Sequence, residues 1–286
     1  MHYVLADVFT ETAFGGNQLA VFPNADGLDT RQMQAIAREL NLAETTFVIP
    51  GSAPGHFNVR IFTPLAEMVF AGHPTIGTAV VLAHLGRTEG RTEIVLEEGV
   101  GPVRVTLREN GATFFMQGPA EVRPHGVVDV ALADAIGLQR TQLAGDPWQA
   151  GYGTPFMFIP VRDRAAVAAS VLHPDRWNGV TQGLWASRAV YIYAATRHDG
   201  ETSYLHARMY APKLGVTEDP ATGSAAAALA GSLDTDATRL FIDQGIELGR
   251  PSRIEANIIR EAGVVKQVSI SGGAVVVAEG RFTRLP

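Results

Sequence analysis

Arg60-Ile61-Phe62-Thr63-Pro64, followed after a short spacer by Pro74-Thr75-Ile76-Gly77-Thr78-Ala79, returns as Arg208-Met209-Tyr210-Ala211-Pro212 followed by Pro220-Ala221-Thr222-Gly223-Ser224-Ala225. The shared pattern is Arg-x-aromatic-x-Pro, then Pro-x-x-Gly-[Thr/Ser]-Ala. Its arginines lie 148 residues apart and its later prolines 146 apart, close to half of a 286-residue chain. A repeat at that offset decides the architecture before any single element is read, because each copy marks one structural unit. It predicts two homologous halves packed face to face, with a boundary near Gly118-Pro119 that separates residues 1–118 from 119–273.

Outward from the repeat, local patterns predict an α+β unit used twice. Tyr3–Phe9 and Leu19–Phe22 read as strands. Asp29-Thr30 caps a helix whose apolar Met33, Ile36, Ala37 and Leu40 fall at i, i+3, i+4 and i+7, and Asn41 suits a left-handed stop. Thr45–Ile49, Phe57–Phe62, Glu93–Leu96, Val103–Leu107 and Thr113–Met116 follow as strands, rich in β-branched and aromatic residues. Pro74 is expected to open a helix that runs to about Leu85, with Gly86 as its stop. In the second half Pro155–Val161, Ala189–Ala195, Leu205–Tyr210, Val264–Ile270 and Ala274–Glu279 read as strands. Ala131–Ile136 and Arg164–Ser170 read as short helices, and Ala221–Ala230 as an alanine-rich helix opened by Pro220. Strands outnumber helices and alternate with them irregularly, which favours a mixed-sheet α+β architecture over a doubly wound parallel sheet.

Composition removes several functions. The chain has no cysteine, so disulfides, thiolate metal sites and thiol nucleophiles are excluded, and acid–base chemistry falls to carboxylates or histidine. Basic residues number 23 against 29 acids and are scattered singly, with Lys213 and Lys266 the only lysines, so no cationic stripe suits nucleic acid. The start, Met1-His2-Tyr3-Val4-Leu5-Ala6-Asp7, lacks a basic segment before an apolar run, and no stretch has the roughly 18 apolar residues of a membrane helix. The expectation is a soluble cytoplasmic protein without a membrane partner. Gly151-Tyr152-Gly153 does not complete a dinucleotide fingerprint, no Walker-type lysine motif exists, and Gly-x-Ser-x-Gly is absent.

The repeated helix starts hold the candidate chemistry. Free N–H groups and the macrodipole make such ends attractive to a carboxylate. Gly77 and Gly223 would let a ligand or another helix approach; close packing is the competing explanation. His73, placed at the N-cap before Pro74, is not a favoured capping residue, which points to a functional reason for it. Gly72-His73-Pro74 brings no second ligand at metal spacing, so no metal site is expected. Asp219 holds the equivalent place before Pro220, where either capping or chemistry explains it. Ser224 and Thr78 are first-turn hydroxyls able to donate to a substrate. Glu44, between a helix C-terminus and an apolar strand, would have its pKa raised if desolvated there, as a proton shuttle requires; a solvated loop glutamate is the alternative. Glu67 reads as an exposed loop charge or a second acid, and Asn17, after Gly15-Gly16, as a turn residue.

Taken together these segments resemble the phenazine-biosynthesis PhzF-like proteins, which share the diaminopimelate epimerase fold. The resemblance is carried by Asp7-Val8-Phe9-Thr10 with Phe14-Gly15-Gly16-Asn17, Ala43-Glu44-Thr45-Thr46-Phe47, Arg60-Ile61-Phe62-Thr63-Pro64, Ala71-Gly72-His73-Pro74-Thr75-Ile76-Gly77, Glu218-Asp219-Pro220-Ala221-Thr222-Gly223-Ser224-Ala225, Gln244-Gly245 with Gly249-Arg250-Pro251-Ser252, and Ser271-Gly272-Gly273. It implies two pseudo-symmetric domains, each a mixed sheet wrapped around a central helix. It also implies a cleft active site and a final strand, about 274–286, that returns to the first domain. It further implies an isomerase without cofactor and a homodimer, the family's characterised activity being isomerisation of a dihydro-hydroxyanthranilate. In this reading Glu44 and Asp219 are catalytic, and Asn17, Gly72, His73, Thr75, Gly77, Gly223 and Ser224 bind a small carboxylate-bearing substrate. Single-carbon epimerisation by Glu44 and Asp219, and a non-catalytic binding protein that keeps the cleft, are the rival functions.

Overall fold

The computed structural model describes residues 1–286, which divide into two compact units. The first comprises Met1–Phe115, Arg250–Ser252 and Ile270–Pro286, and the second Met116–Gly249 and Arg253–Ser269.

The first unit is built from β1 (His2–Val8), β2 (Asn17–Phe22), α1 (Thr30–Leu40), β3 (Glu44–Pro50), β4 (His56–Phe62), the two-residue β5 (Glu67–Met68), α2 (Gly72–His84), β6 (Glu93–Glu98), β7 (Gly101–Arg108) and β8 (Gly111–Gln117). Antiparallel pairs β1–β2, β3–β4, β6–β7 and β7–β8 are joined by parallel pairs β2–β3 and β4–β6, so the sheet is mixed. The helix α2 packs against β1, β2, β3, β6 and β7. It is buried nearly all round, which is why its sequence is apolar on every face rather than amphipathic. By contrast α1 lies outside with one buried face, Met33, Ile36 and Ala37, against Phe22, Phe47 and Phe62. The reciprocal Asp29–Gln32 capping box starts α1 and Asn41, at φ 51°, ends it.

The second unit holds β9 (Glu121–Pro124), α3 (Asp129–Ala135), β10 (Trp148–Tyr152), β11 (Thr154–Pro160), α4 (Arg164–Ala169), α5 (Pro174–Val180), β12 (Val190–Asp199), β13 (Thr202–Ala211), β14 (Val216–Asp219), α6 (Gly223–Ser232), β15 (Arg239–Gln244) and β16 (Ser252–Glu261). Parallel pairs β11–β12 and β13–β15 again interrupt antiparallel ones. The helix α6 packs on β10 and β11 and is almost wholly buried, because a run of alanines and glycines leaves no bulk to keep strands away.

Both copies of Arg-x-aromatic-x-Pro form the same structure. Arg60 grips Glu67 with two nitrogens and lies 5.2 Å from the Phe62 ring centroid. Likewise Arg208 grips Glu218 and lies 5.1 Å from the Tyr210 centroid. Residues i and i+2 of a strand share a face, so the guanidinium can cover the ring while a carboxylate on the next short strand holds it. Glu67 is therefore a structural partner of Arg60 and not a second acid.

The closing segment differs from expectation. Val264–Ile270 and Ala274–Glu279 are one continuous strand, β17 (Val264–Arg281), which pairs with β1 and β8. Ser271-Gly272-Gly273 does not break it, since a Cβ on Gly272 would collide with the Phe9 ring. The glycine permits a close approach, and Phe9 N–H donates to the Gly273 carbonyl at 2.7 Å.

Candidate active site

The N-cap of α2 is Ala71 and its first residue is Gly72, so the helix begins two residues before Pro74. His73 is accordingly the second helical residue and not the cap. Proline lacks only an N–H that nothing in the first turn would accept, so it is tolerated anywhere in that turn and does not mark its first position. Backbone closure comes from Thr75 N–H donating to the Ala71 carbonyl at 3.2 Å.

His73 is 3% exposed and stands between two other expected site residues. Its Nδ1 lies 3.1 Å from Asn17 Nδ2, and its Nε2 lies 3.4 Å from Glu44 Oε2. Burial pushes the imidazole down to about 3, a hydrogen bond with the Gln18 backbone opposing only in part. The ring is therefore neutral at pH 7, and its approach to Glu44 is not an ion pair. An Asn17 amide that donates to Nδ1 places the ring proton on Nε2, the atom facing the carboxyl, whereas a ring N–H given to the Gln18 backbone from Nδ1 leaves Nε2 as the acceptor. Glu44 is the first residue of β3, and its side chain is only 13% exposed, which excludes the solvated-loop alternative. The left-handed Asn41 brings the chain off α1 and turns it inward just before this residue.

The loop before Asn17 is held from a distant part of the chain. Arg250 Nη2 donates to Asp7 Oδ1 and to the Gly15 carbonyl, each at 2.5 Å, and Nε donates to the Gly16 carbonyl at 2.8 Å. The other oxygen of Asp7 accepts from Phe14 N–H at 2.6 Å. Asp7 and the Gly-Arg-Pro-Ser segment thus hold the loop that leads into Asn17, which meets His73.

In the second unit Asp219 ends β14 and is 6% exposed. The N-cap of α6 is Thr222, so Asp219 is not a helix cap, and the helix starts at Gly223 rather than near Pro220. A cap needs its side chain at N2 or N3 amides. Here Oδ2 instead accepts from Thr222 Oγ1 at 2.6 Å, while Gln244 Nε2 donates to the Asp219 carbonyl at 2.7 Å and to Thr222 Oγ1 at 3.0 Å. Gln244 Oε1 accepts from the Tyr191 hydroxyl at 3.1 Å. Burial, reinforced by the charge of Asp219, raises the Tyr191 phenol, which therefore stays a neutral donor. Thr222, Gln244 and Tyr191 were not singled out as site residues from sequence. Thr222 lay inside the repeated Pro-x-x-Gly motif and Gln244 beside Gly245, which were the signals for these two, while Tyr191 had none.

Other expected residues lie at helix starts or in packed surroundings. Gly72 opens α2, and Gly223 and half-buried Ser224 open α6. A Cβ on Gly77 would lie 2.6 Å from Leu19 Cδ2 and from Val8 Cγ2, so its missing side chain serves packing of α2 on the sheet. Thr78 is buried with its hydroxyl 2.9 Å from Thr46 Oγ1, which removes it from the substrate donors. The Thr75 hydroxyl contacts the Ala71 carbonyl and Glu98. No helix is long and apolar enough to cross a membrane.

Residues 6–280 match the family profile described as phenazine biosynthesis-like protein, PhzC-PhzF. The chain is 40% identical to an uncharacterized isomerase of Mesorhizobium japonicum, covering 98% of each chain. It is 36% identical to trans-2,3-dihydro-3-hydroxyanthranilate isomerase of Pseudomonas aeruginosa, over 98% of this chain and 99% of that one. The crystal structure of a PhzF-family phenazine biosynthesis protein from Bacillus anthracis superposes with a TM-score of 0.87 at 23% identity, covering 98% of both chains.

Proposed function

Because the chain belongs to the phenazine biosynthesis-like PhzC-PhzF family of isomerases, we propose that it moves a proton between carbons of a small, carboxylate-bearing metabolite with Glu44 as the acid–base group. The observation that carries this reading is the neutral His73 imidazole 3.4 Å from a nearly buried Glu44 carboxyl. A histidine cation at that distance would hold the glutamate ionised. A neutral ring lets the carboxyl both accept and return a proton, which a shift between two carbons requires.

In the proposed step the Glu44 carboxylate takes a proton from a carbon activated by adjacent unsaturation. The electron pair left behind spreads over the conjugated system, and the Glu44 carboxyl, whose proton exchanges with solvent, delivers a proton to a second carbon of it. Nε2–H of His73 and the backbone N–H groups at the start of α2 are donors suited to the negative charge that develops meanwhile. Asp219, kept in place by Thr222 and Gln244, is the second carboxylate of the reading, with Gly223 and Ser224 at the start of α6 as further donors. Cofactor independence and a homodimeric state enter this reading through the family resemblance, and a cytoplasmic site of action through the sequence-based expectation.

The test uses trans-2,3-dihydro-3-hydroxyanthranilate as the first substrate, since a relative with 36% identity is named for it, with related cyclic amino and hydroxy acids alongside. In D2O the wild-type protein is expected to convert a substrate and incorporate deuterium at carbon, and Glu44→Gln to bind it without exchange. Undiminished exchange by Glu44→Gln would remove Glu44 from the mechanism.

A further inference from the structure

Glu98 ends β6 with only 7% of its surface exposed, and its Oε1 lies 2.8 Å from Thr75 Oγ1 in the first turn of α2. The same hydroxyl oxygen lies 2.8 Å from the Ala71 carbonyl. A threonine hydroxyl has one proton to give, and a carbonyl can only accept. With that proton directed to Ala71, the contact between Thr75 and Glu98 needs a proton from the other side. Glu98 Oε2 is buried with no hydrogen-bond partner, an arrangement far more costly for a carboxylate than for a carboxylic acid.

We propose that Glu98 is carried as the neutral acid, donating from Oε1 to Thr75, and that it is a positioning residue holding the first turn of α2 and so the placement of His73 against Glu44. The proposal rests on the reading that this turn serves the reaction.

The surroundings support it. Side chains alternate along β6, so Ile94, Leu96 and Glu98 turn inward while Glu93, Val95 and Glu97 turn outward. Glu97 accordingly meets His56 of β4 on the outer face. Arg104 of β7 stands opposite outward-facing Val95, and Arg108 lies at the far end of that strand. On the neighbouring β5, Glu67 is occupied by Arg60, while α2 contributes the neutral His73 and, at its other end, His84. Nothing charged therefore compensates a Glu98 carboxylate, and burial pushes the group up to about 8; only a Thr75 hydroxyl turned from Ala71 to donate to the carboxylate would oppose this. The position is also clamped. Val100 N–H donates to the Val69 carbonyl at 2.9 Å, and a Cβ on Gly99 would lie 2.8 Å from Val69 Cα, so the turn after Glu98 presses on the segment that leads into α2.

Carboxyl-13C glutamate NMR of the wild-type protein and Glu98→Gln reads the protonation state directly. One carboxyl should titrate with a midpoint near 8 in the wild type and be missing from the variant. The His73 ring 15N shifts should move over the same pH interval in the wild type only, because a glutamine amide donates to Thr75 and does not ionise. In deuterium exchange with the substrate, the wild type should fall in activity at alkaline pH; Glu98→Gln should keep activity at neutral pH within about threefold and lose that fall, whereas Glu98→Ala should lose about tenfold or more. A Glu98 carboxyl that titrates near 4.5, or His73 shifts indifferent to its ionisation, would overturn the proposal. The two NMR readouts decide it even if no substrate is turned over, which would count against the functional reading alone.

Discussion

Nε2 of His73 sits 3.4 Å from Oε2 of Glu44, and burial keeps the imidazole uncharged while it does so. A neutral donor beside a carboxyl can stabilise negative charge that develops on a substrate without fixing the carboxyl in one protonation state. Replacing Glu44 by Gln should therefore lower turnover by roughly 10²–10⁴-fold, the span usual for a general acid–base group, with substrate binding retained. Replacing His73 by Gln should reduce turnover less than loss of Glu44 does. Steady-state kinetics of the two variants on the same substrate, with binding followed by calorimetry, compares these losses.

The same burial makes His73 a source of acid sensitivity. Its folded-state pKa, about 3, lies below the ordinary 6.5, so the folded protein binds fewer protons than the unfolded chain between those values. Stability from this group is fully present above pH 6.5 and is lost as pH falls toward 3, by at most about 1.4 kcal/mol per pH unit. Urea unfolding midpoints across that interval should fall more steeply for the wild type than for His73→Gln. Parallel curves would mean that the ring is not held neutral.

Arg250 and Asp7 are 243 positions apart in sequence and form an ion pair in which Asp7 is only 3% exposed. Substituting Arg250 by Met leaves a buried carboxylate without its cation and frees the Gly15 and Gly16 carbonyls. The expected loss is about 3–5 kcal/mol of stability, read by chemical denaturation. The double variant Arg250→Met with Asp7→Asn should recover part of it. Turnover in the double variant should stay low, because the loop that places Asn17 against His73 is no longer held.

These contacts explain which features could be read along the chain. The helix α1 was legible because its capping box, apolar stripe and left-handed Asn41 are all local. The motif repeat was legible too, and the structure explains its form, since each Arg-x-aromatic pair stacks on one strand face. By contrast β5, β14 and β15 exist through their neighbours. Glu67–Met68 is two residues long, and β15 owes its place to parallel pairing with β13. His73 and Asp219 were singled out from sequence, yet His73 was placed at the N-cap and capping was left open for Asp219, because proline marks a first turn without numbering its positions. Thr222 and Gln244 stood in quoted motifs without a role, and Glu98 escaped notice, since their meaning lies in partners 3, 25 and 23 positions away, with no pattern between.

Asp219 offers the sharpest separation of structure from chemistry. As a capping residue it would be replaceable by Asn at little cost and without kinetic consequence, for both cap well. The bond actually present has Thr222 Oγ1 donating at 2.6 Å, and an asparagine oxygen can accept it just as an aspartate oxygen does. Asp219→Asn should therefore fold with a melting temperature close to that of the wild type. Under the proposed function it should still lose turnover by about tenfold or more, because the negative charge and the ability to exchange a proton are gone. Thr222→Val is the complementary change. It keeps the carboxylate but removes its hydroxyl donor and one partner of Gln244, so it should lower stability by about 1–3 kcal/mol and turnover together. An Asp219→Asn variant with undiminished turnover would assign this carboxylate to the scaffold of α6, leaving Glu44 as the sole proton carrier.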